Sequence, residues 1–424
     1  MKKILLFGAG KSATCLIDYL IDHALDENWS VTIADANPAS LQSKIGQNAN
    51  VNAIALDVQR EADRKALVAS ADIVVSLLPP SLHILIARDC VELRKNLLTA
   101  SYIDDSIKTL SEEIKNKNLL FLYEMGLDPG IDHMSAMQLV DSIKKNNGKI
   151  ISFKSHTGGL VAPESDDNPW HYKISWNPRN VVRAGAAGAV YKENNRTVKL
   201  DYEELFENTG EVIVGAAGKL SYYPNRDSLS YIPVYGLEDA STFIRTTLRY
   251  PSFCNNWKYI VAAGLTDDQK TIDTKGLNFK KWSEPILGFV NDLNENMFSF
   301  LGLFDEMPVP AGAKTSADIL QYLLETKLMM RPLDKDMIVM LHELEYTNGD
   351  NHTSINSSLV VRGDDSVRTA MAKTVGLPLG IAAKLILKEK ISLTGLHIPI
   401  VKEIYEPVLE ELKDYGVRFE ERKM

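Results

Sequence analysis

Cysteine is scarce in this 424-residue chain: there are three, Cys15, Cys90 and Cys254, and none lies in a C-x-x-C spacing. An odd number of scattered thiols excludes a disulfide framework and a zinc ribbon alike, and points to buried thiols in a reducing compartment. No metal is expected, because no ligand spacing forms. Long apolar runs are also lacking. No stretch approaches the roughly 20 apolar residues of a membrane span. The apolar start stops at Gly8, short of the roughly 7–15 residues of a secretory signal. A cytoplasmic protein with no membrane partner is expected, in which the sequons at Asn195, Asn351 and Asn356 carry no sugar. Positive charge is in deficit: 47 Lys and Arg against 56 Asp and Glu leave a net charge of −9. That argues against nucleic acid as a partner, which needs a basic face. It does not argue against a small anionic ligand, since a few arginines reverse the field inside a cleft.

What remains is an ordinary globular composition, 45% hydrophobic and 24% charged, without low-complexity tracts. The chain is too long for one hydrophobic core, so two or three domains are expected. Apolar strands are expected at residues 3–7, 30–34, 51–55, 72–77, 96–100 and 119–123, with helices at 13–22, 61–70, 82–93 and 107–115. Near-continuous hydrophobic strands joined by helical crossovers mean a parallel sheet covered on both faces. In such a sheet the ligand sits outside the carboxyl ends of the strands. From about residue 131 the pattern changes. A helix at 131–145 leads to strands at 149–155, 212–214, 220–223, 337–346 and 353–361, separated by Gly-, Pro-, Asn- and Asp-rich loops. Residues 252–330 are chiefly helical in pattern, and the tail reads as helices at 366–373, 381–387 and 401–414 and a strand at 417–420. The expected class is α/β: a Rossmann doubly wound parallel sheet domain at 1–130, completed by 366–424. An α+β domain with a mainly antiparallel sheet takes 131–251 and 331–365, and a small helical subdomain takes 252–330.

Gly8-Ala9-Gly10-Lys11-Ser12-Ala13 follows the first strand and opens a helix, the context the G-x-G-x-x-G/A fingerprint requires. Gly8 permits the tight turn, Gly10 lets the backbone approach a pyrophosphate, and Ala13 permits close helix–strand packing. A Walker A loop would need glycine where Leu5 stands, so that reading is rejected. Asp35 ends the second strand, where a carboxylate accepts hydrogen bonds from ribose hydroxyls and repels a 2′-phosphate. With no arginine beside it, Asp35 favours NAD over NADP. Asp57 and Val58 after the third strand are placed to flank the adenine, a turn-forming Asp57 being the alternative. Leu77 ends the fourth strand as an apolar rim for the cofactor.

The most specific residues follow the fifth and sixth strands: Ser101-Tyr102 and Glu124-Met125-Gly126-Leu127-Asp128-Pro129-Gly130-Ile131-Asp132-His133. Further on come Thr157-Gly158-Gly159-Leu160-Val161-Ala162-Pro163-Glu164, Ser175-Trp176, Tyr223-Pro224-Asn225-Arg226-Asp227-Ser228 and Arg245-Thr246-Thr247-Leu248-Arg249-Tyr250. These blocks, in this order over nearly the whole chain, resemble the saccharopine dehydrogenases of the glutamate-forming type.

The resemblance implies that glutamate condenses with 2-aminoadipate 6-semialdehyde and that hydride from the cofactor reduces the imine to saccharopine, or the reverse. It implies catalytic roles for Asp128, Tyr102 and Thr157. It implies substrate contacts from Ser101, Tyr102, Asp128, Arg226, Arg245, Thr246 and Thr247. Leu127, Asp128, Pro129, Ser175 and Trp176 approach the cofactor in the family. Three carboxylates on the substrate call for arginine forks and hydrogen-bond donors. At Thr157 fungal members usually carry cysteine; threonine keeps a donor and an acceptor without thiolate chemistry.

The residues alone leave alternatives open. Arg226 and Arg245 also read as surface ion-pair partners, Asp128 as a helix cap, Tyr102 as packing, and His133 as a general base or a loop brace. Glu164 and Trp176 read as braces of the site. The chain carries one catalytic half, so a single reaction step is expected. A polyamine imine reductase, as in carboxynorspermidine synthesis, and a dinucleotide-binding protein without turnover are the competing functions. The expected partners are a small amino-acid substrate and a second copy of the chain in a homodimer.

Overall fold

The structure, a computed structural model, describes residues 1–37, 41, 45–46 and 48–424. Pro38, part of the arginine-free stretch after Asp35, lies outside the described residues. The chain forms two compact units, residues 1–142 with 367–418 and residues 143–366 with 419–424.

In the first unit, strands β1 (Lys2–Phe7), β2 (Trp29–Asp35), β3 (Val51–Ala55), β4 (Ile73–Ser76), β5 (Asn96–Thr99) and β6 (Leu120–Leu122) alternate with helices. All pairings are parallel, in the order β3-β2-β1-β4-β5-β6. Leu6, Val31, Ile33, Ile73, Val74, Val75, Leu97 and Leu98 have no exposed surface. Burial on both faces is what continuous apolar strands demand, and each such side chain stabilises the fold by roughly 1.5–3 kcal/mol. The expected helix at 107–115 is two short ones, Asp105–Lys108 and Ser111–Asn116; the Asp104 side chain caps the first by accepting from the Ile107 N–H.

The second unit carries a ten-stranded mixed sheet. Its strands are β7 (Lys149–Val161), β8 (Ala189–Glu193), β9 (Arg196–Leu200), β10 (Gly210–Val214), β11 (Gly218–Pro224), β12 (Arg226–Asp227), β13 (Thr242–Arg249), β14 (Asp336–Asn348) and β15 (Asn351–Arg362), and β17 (Glu420–Lys423) completes it. Most pairings are antiparallel, but the central pair β7–β13 is parallel. Strand β7 runs six residues beyond its expected end, through Gly158 and Gly159. Those glycines read as a loop; a Cβ on Gly158 would lie 2.5 Å from the Leu248 carbonyl oxygen, so glycine there permits close approach of β13. Strand β13 and the hairpin β8–β9 were not expected at all. The helices Pro251–Ala262, Glu295–Leu301 and Ser316–Lys327 share one apolar core with β8, β9, β11 and β13 residues, so the expected helical subdomain does not separate.

The tail returns to the first unit as the helix Ala370–Leu387, strand β16 (Gly395–His397) and the helix Lys402–Leu412. Strand β16 joins β6 as a seventh parallel strand. The division differs from the expected one at both ends. Most of the helix Ile131–Lys145 belongs to the first unit, and residues 419–424 pair with β15 in the second.

Helix Ala370–Leu387 was expected as two pieces, 366–373 and 381–387; the structure carries it unbroken through Pro378. Unbroken, it is the one described helix long and apolar enough to cross a membrane, with mean hydropathy 1.5, and 78% of it is buried inside the protein. Gly376 and Gly380 put it against helix Thr14–Ala24. A Cβ on Gly376 would lie 2.8 Å from the Leu16 backbone nitrogen, and one on Gly380 2.5 Å from the Tyr19 ring. Gly376→Val is therefore expected to cost about 1–3 kcal/mol through overpacking against backbone. Urea unfolding of the variant tests this; an unchanged midpoint would show that the helices separate freely.

Candidate active site

Strand β1 ends at Phe7, and Gly8 turns the chain with φ +93°. A Cβ there would meet the Leu77 carbonyl oxygen at 2.7 Å, so the turn accepts only glycine. Gly10 is different: its φ is −62°, and nothing lies within 4 Å of where its Cβ would stand. The space over Gly10 is thus open to an approaching pyrophosphate, which is the fit a dinucleotide needs. Lys11 is exposed, Ser12 half-buried and Ala13 buried at the start of the helical segment.

Asp35 sits at the end of β2, but its carboxylate is engaged. Oδ2 accepts from the Ala9 N–H at 2.7 Å and Oδ1 from the Asn37 N–H at 2.8 Å. The side chain thus ties the glycine loop to the end of β2. Asp57 forms the turn its alternative reading foresaw, Oδ1 accepting from the Gln59 N–H at 3.0 Å. Val58 is half-buried against the core of the unit, and Leu77 is half-buried beside Gly8.

Beyond β5 the Tyr102 hydroxyl donates to Asp128 Oδ1 at 3.2 Å, so these two residues are brought together. The loop carrying Leu127, Asp128 and Pro129 is held from beneath. Buried Glu124, at φ +59°, accepts from the Ile103 N–H at 3.2 Å and bonds His133 Nε2 at 2.9 Å. Asp132 Oδ1 accepts from the Gly130 N–H at 2.6 Å. His133 has no exposed surface, which makes it a loop brace. Asp132 thus accepts from a backbone N–H at the start of helix Ile131–Lys145.

A histidine the sequence reading passed over lies at the carboxyl ends of β4 and β5. His83 Nδ1 is 2.9 Å from Ser76 Oγ and its Nε2 2.7 Å from Ser101 Oγ, so it positions Ser101. Burial pushes its pKa from 6.5 down to about 4, with Asp104 opposing weakly. The folded state therefore binds fewer protons than the unfolded chain between these values. Stability is full above pH 6.5 and falls as pH drops toward 4, by about 3 kcal/mol from this group. Urea unfolding across pH 4–7 tests this. His83→Gln is expected to flatten the acid limb; an identical limb in the variant would remove His83 as its source.

In the second unit, period-two alternation divides the implied residues between two faces of the sheet. Arg245, Thr247 and, by register, Thr157 lie on one face. Thr246 lies on the other, where its Oγ1 donates to His156 Nδ1 at 2.7 Å and His156 Nε2 donates to Glu343 at 3.0 Å. Burial pushes the His156 pKa down, and the bond from His156 holds Glu343 below its usual range. A neutral imidazole meets both partners, so the Thr246 side chain is committed to structure. The resemblance implied a substrate contact for Thr246; here its hydroxyl proton goes to His156, on the face opposite Arg245 and Thr247. Arg245 is buried, its guanidinium carbon 4.5 Å from the Tyr231 ring centroid. Arg226 is exposed at φ +54°, a strained conformation of the kind found at functional sites. It is brought near Arg245, because the adjacent Asn225 N–H donates to the Arg245 carbonyl at 2.9 Å. Ser175 is buried, and half-buried Trp176 donates from Nε1 to the Tyr172 hydroxyl at 3.3 Å. Glu164 pairs with Arg362 at 3.3 Å on the surface. Among the described residues no cluster of His, Cys, Asp or Glu is placed to hold a metal.

An open glycine turn at the carboxyl edge of a parallel sheet in the order β3-β2-β1-β4-β5-β6 defines a dinucleotide-binding protein of the Rossmann class. Residues 4–122 match the saccharopine dehydrogenase NADP binding domain, and residues 126–417 match the saccharopine dehydrogenase C-terminal domain. The chain belongs to the saccharopine dehydrogenase family.

It is 32% identical over 448 residues to saccharopine dehydrogenase [NADP(+), L-glutamate-forming] of Saccharomyces cerevisiae, covering 99% of both chains. It is 34% identical over 443 residues to the mitochondrial alpha-aminoadipic semialdehyde synthase of Mus musculus, covering 99% of this chain and 47% of that one. The chain thus spans about half the length of the semialdehyde synthases it matches. The solved apo saccharopine dehydrogenase (L-Glu forming) of Saccharomyces cerevisiae superposes with a TM-score of 0.90 at 30% identity over the full length of both. A homospermidine synthase of Legionella pneumophila, at a TM-score of 0.59 and 10% identity, shares the fold alone.

Proposed function

We propose that this chain is an NADP-dependent, glutamate-forming saccharopine dehydrogenase, interconverting saccharopine with glutamate and 2-aminoadipate 6-semialdehyde. The observation that carries the reading is the one-faced placement of Arg245, Thr247 and Thr157, in a chain matched end to end by a yeast enzyme of that name. Arginine forks suit a tricarboxylate and would be wasted on a polyamine precursor.

Gly8, Gly10 and the turn after them would hold the dinucleotide, with Leu77 and Leu127 as apolar neighbours. When bound, the nicotinamide supplies or accepts the hydride. NADP replaces the NAD expected from the sequence. The fungal relatives are named for NADP(+). Asp128 pairs with a substrate amine and takes or returns its proton, with the Tyr102 hydroxyl holding the carboxylate in place. Ser101, fixed by His83, offers a hydroxyl to the substrate. Arg226 and Arg245 bind carboxylates. Thr157 adds a hydroxyl for positioning, without the nucleophilic chemistry of a thiol.

The test is absorbance at 340 nm with purified protein and saccharopine, offering NADP and NAD separately. Glutamate among the products, and faster reduction of NADP, is the expected outcome. Production of lysine would overturn the glutamate-forming chemistry, and silence with both cofactors would overturn the reading as a whole. A cytoplasmic location and a homodimer belong to the proposal too; light scattering is expected to give twice the chain mass of 47.2 kDa.

A further inference from the structure

Arg249 ends strand β13 with 4% of its surface exposed, and no carboxylate among the described residues pairs with it. Its Nη1 donates to the Leu248 carbonyl at 2.8 Å, while its buried Nε has no partner. The guanidinium carbon lies 5.4 Å from the Tyr172 ring centroid and 5.5 Å from that of Phe253. A buried cation without a counter-ion is strongly unfavourable, so its retention points to a negative charge that arrives from outside. A second orphan stands three residues on: the Ser252 hydroxyl is buried and also unpartnered. Ser252 and Phe253 form the first turn of the 12-residue helix Pro251–Ala262, whose N-cap, Tyr250, makes no side-chain cap. Pro251 has no N–H and the Phe253 N–H donates to the Tyr250 carbonyl at 3.0 Å, so this helix start offers an anion the Ser252 backbone and a partial positive charge. Alternation along β13 puts Arg249 on the same face as Arg245 and Thr247. At about 3.3 Å per residue the two arginine Cα atoms stand roughly 13 Å apart.

We propose that Arg249, Ser252 and the first turn of helix Pro251–Ala262 form a second carboxylate site on the face that carries Arg245. With it, the two arginines select a long substrate bearing a carboxylate toward each end. The selection of a long polycarboxylate rests on the substrate reading above; the anion site does not.

The experiment uses the full chain, wild type and the variants Arg249→Met and Ser252→Ala. It follows melting temperature against glutarate concentration, NADPH binding by fluorescence, and the saccharopine KM. Glutarate is expected to raise the wild-type melting temperature, as any ligand of the native state does. Arg249→Met is expected to melt at or above the wild-type temperature without ligand, since it removes an unpaired buried charge. It should bind glutarate tenfold or more weakly, raise the saccharopine KM about 100-fold or more, and bind NADPH unchanged. Ser252→Ala should fold normally and raise KM about fivefold. A variant Arg249→Met that melts lower yet keeps the wild-type glutarate affinity would overturn the proposal and make Arg249 a structural cation. Should it fail to fold, unchanged KM and glutarate affinity in Ser252→Ala would overturn it equally. If the wild type does not oxidise saccharopine at all, the substrate reading falls, and the glutarate comparison still decides the anion site.

Discussion

Gly10→Val is expected to fold like the wild type and to lose dinucleotide affinity by about two orders of magnitude or more. Gly10 has an ordinary φ of −62° and no protein atom within 4 Å of its Cβ position, so an added Cβ meets no clash and no backbone strain. What it fills is the open space through which a pyrophosphate must come to the loop amides. Gly8→Ala makes the contrast. There φ is +93° and the Leu77 carbonyl oxygen stands 2.7 Å from the new carbon, so the cost falls on stability, on the order of 1–3 kcal/mol from the backbone conformation alone. NADPH fluorescence titration and thermal melting on both variants separate the two effects. Undiminished NADPH binding by a folded Gly10→Val protein would remove the loop as the phosphate cradle.

Asp128→Asn is expected to lower kcat/KM for saccharopine by about 10²–10⁴-fold, the usual scale for losing a positioned proton-transfer group. Asparagine keeps the size of the side chain and an acceptor for the Tyr102 hydroxyl, which bonds Asp128 Oδ1 at 3.2 Å. The loop should therefore survive, because its braces are other residues: Glu124 on His133 and Ile103, and Asp132 on the Gly130 N–H. NADPH affinity and melting temperature are expected to stay at wild-type values. Tyr102→Phe, losing only the hydroxyl, should cost about tenfold, a neutral hydrogen bond of roughly 0.5–1.5 kcal/mol. Steady-state kinetics at saturating NADP decide it. Wild-type turnover in a folded Asp128→Asn protein would leave that carboxylate with no part in catalysis.

Much of this was legible before any fold was known, where a local pattern forces the outcome. Strand β3 and the helices Glu61–Ser70 and Ile131–Lys145 match their expected bounds, because periodicity and flanking turn residues act within a few residues of chain. The fingerprint Gly8-Ala9-Gly10 landed on an open turn, because only glycine adopts φ +93° beside the Leu77 carbonyl. The expected division of the helix Ala370–Leu387 into two pieces failed for the opposite reason. Packing of Gly376 and Gly380 on Leu16 and Tyr19 outweighs one lost helical hydrogen bond, and those partners lie more than 350 residues away in sequence.

Residue type and order were enough for the dinucleotide turn, the parallel sheet and the chemical blocks that carry the family. Commitment of side chains was a tertiary matter. Thr246 and Thr247 are neighbours of one type, yet one bonds His156 while the other faces away with Arg245, because β7 pairs with β13 in one register. Asp35 read as a ribose acceptor alone, and folding also set it to accept from the Ala9 N–H at 2.7 Å. Arg249 carried no reading from the sequence, and folding buried it without a counter-charge among the described residues. Whether a polar atom is satisfied depends on groups that only folding brings within about 3 Å, and no local pattern encodes them.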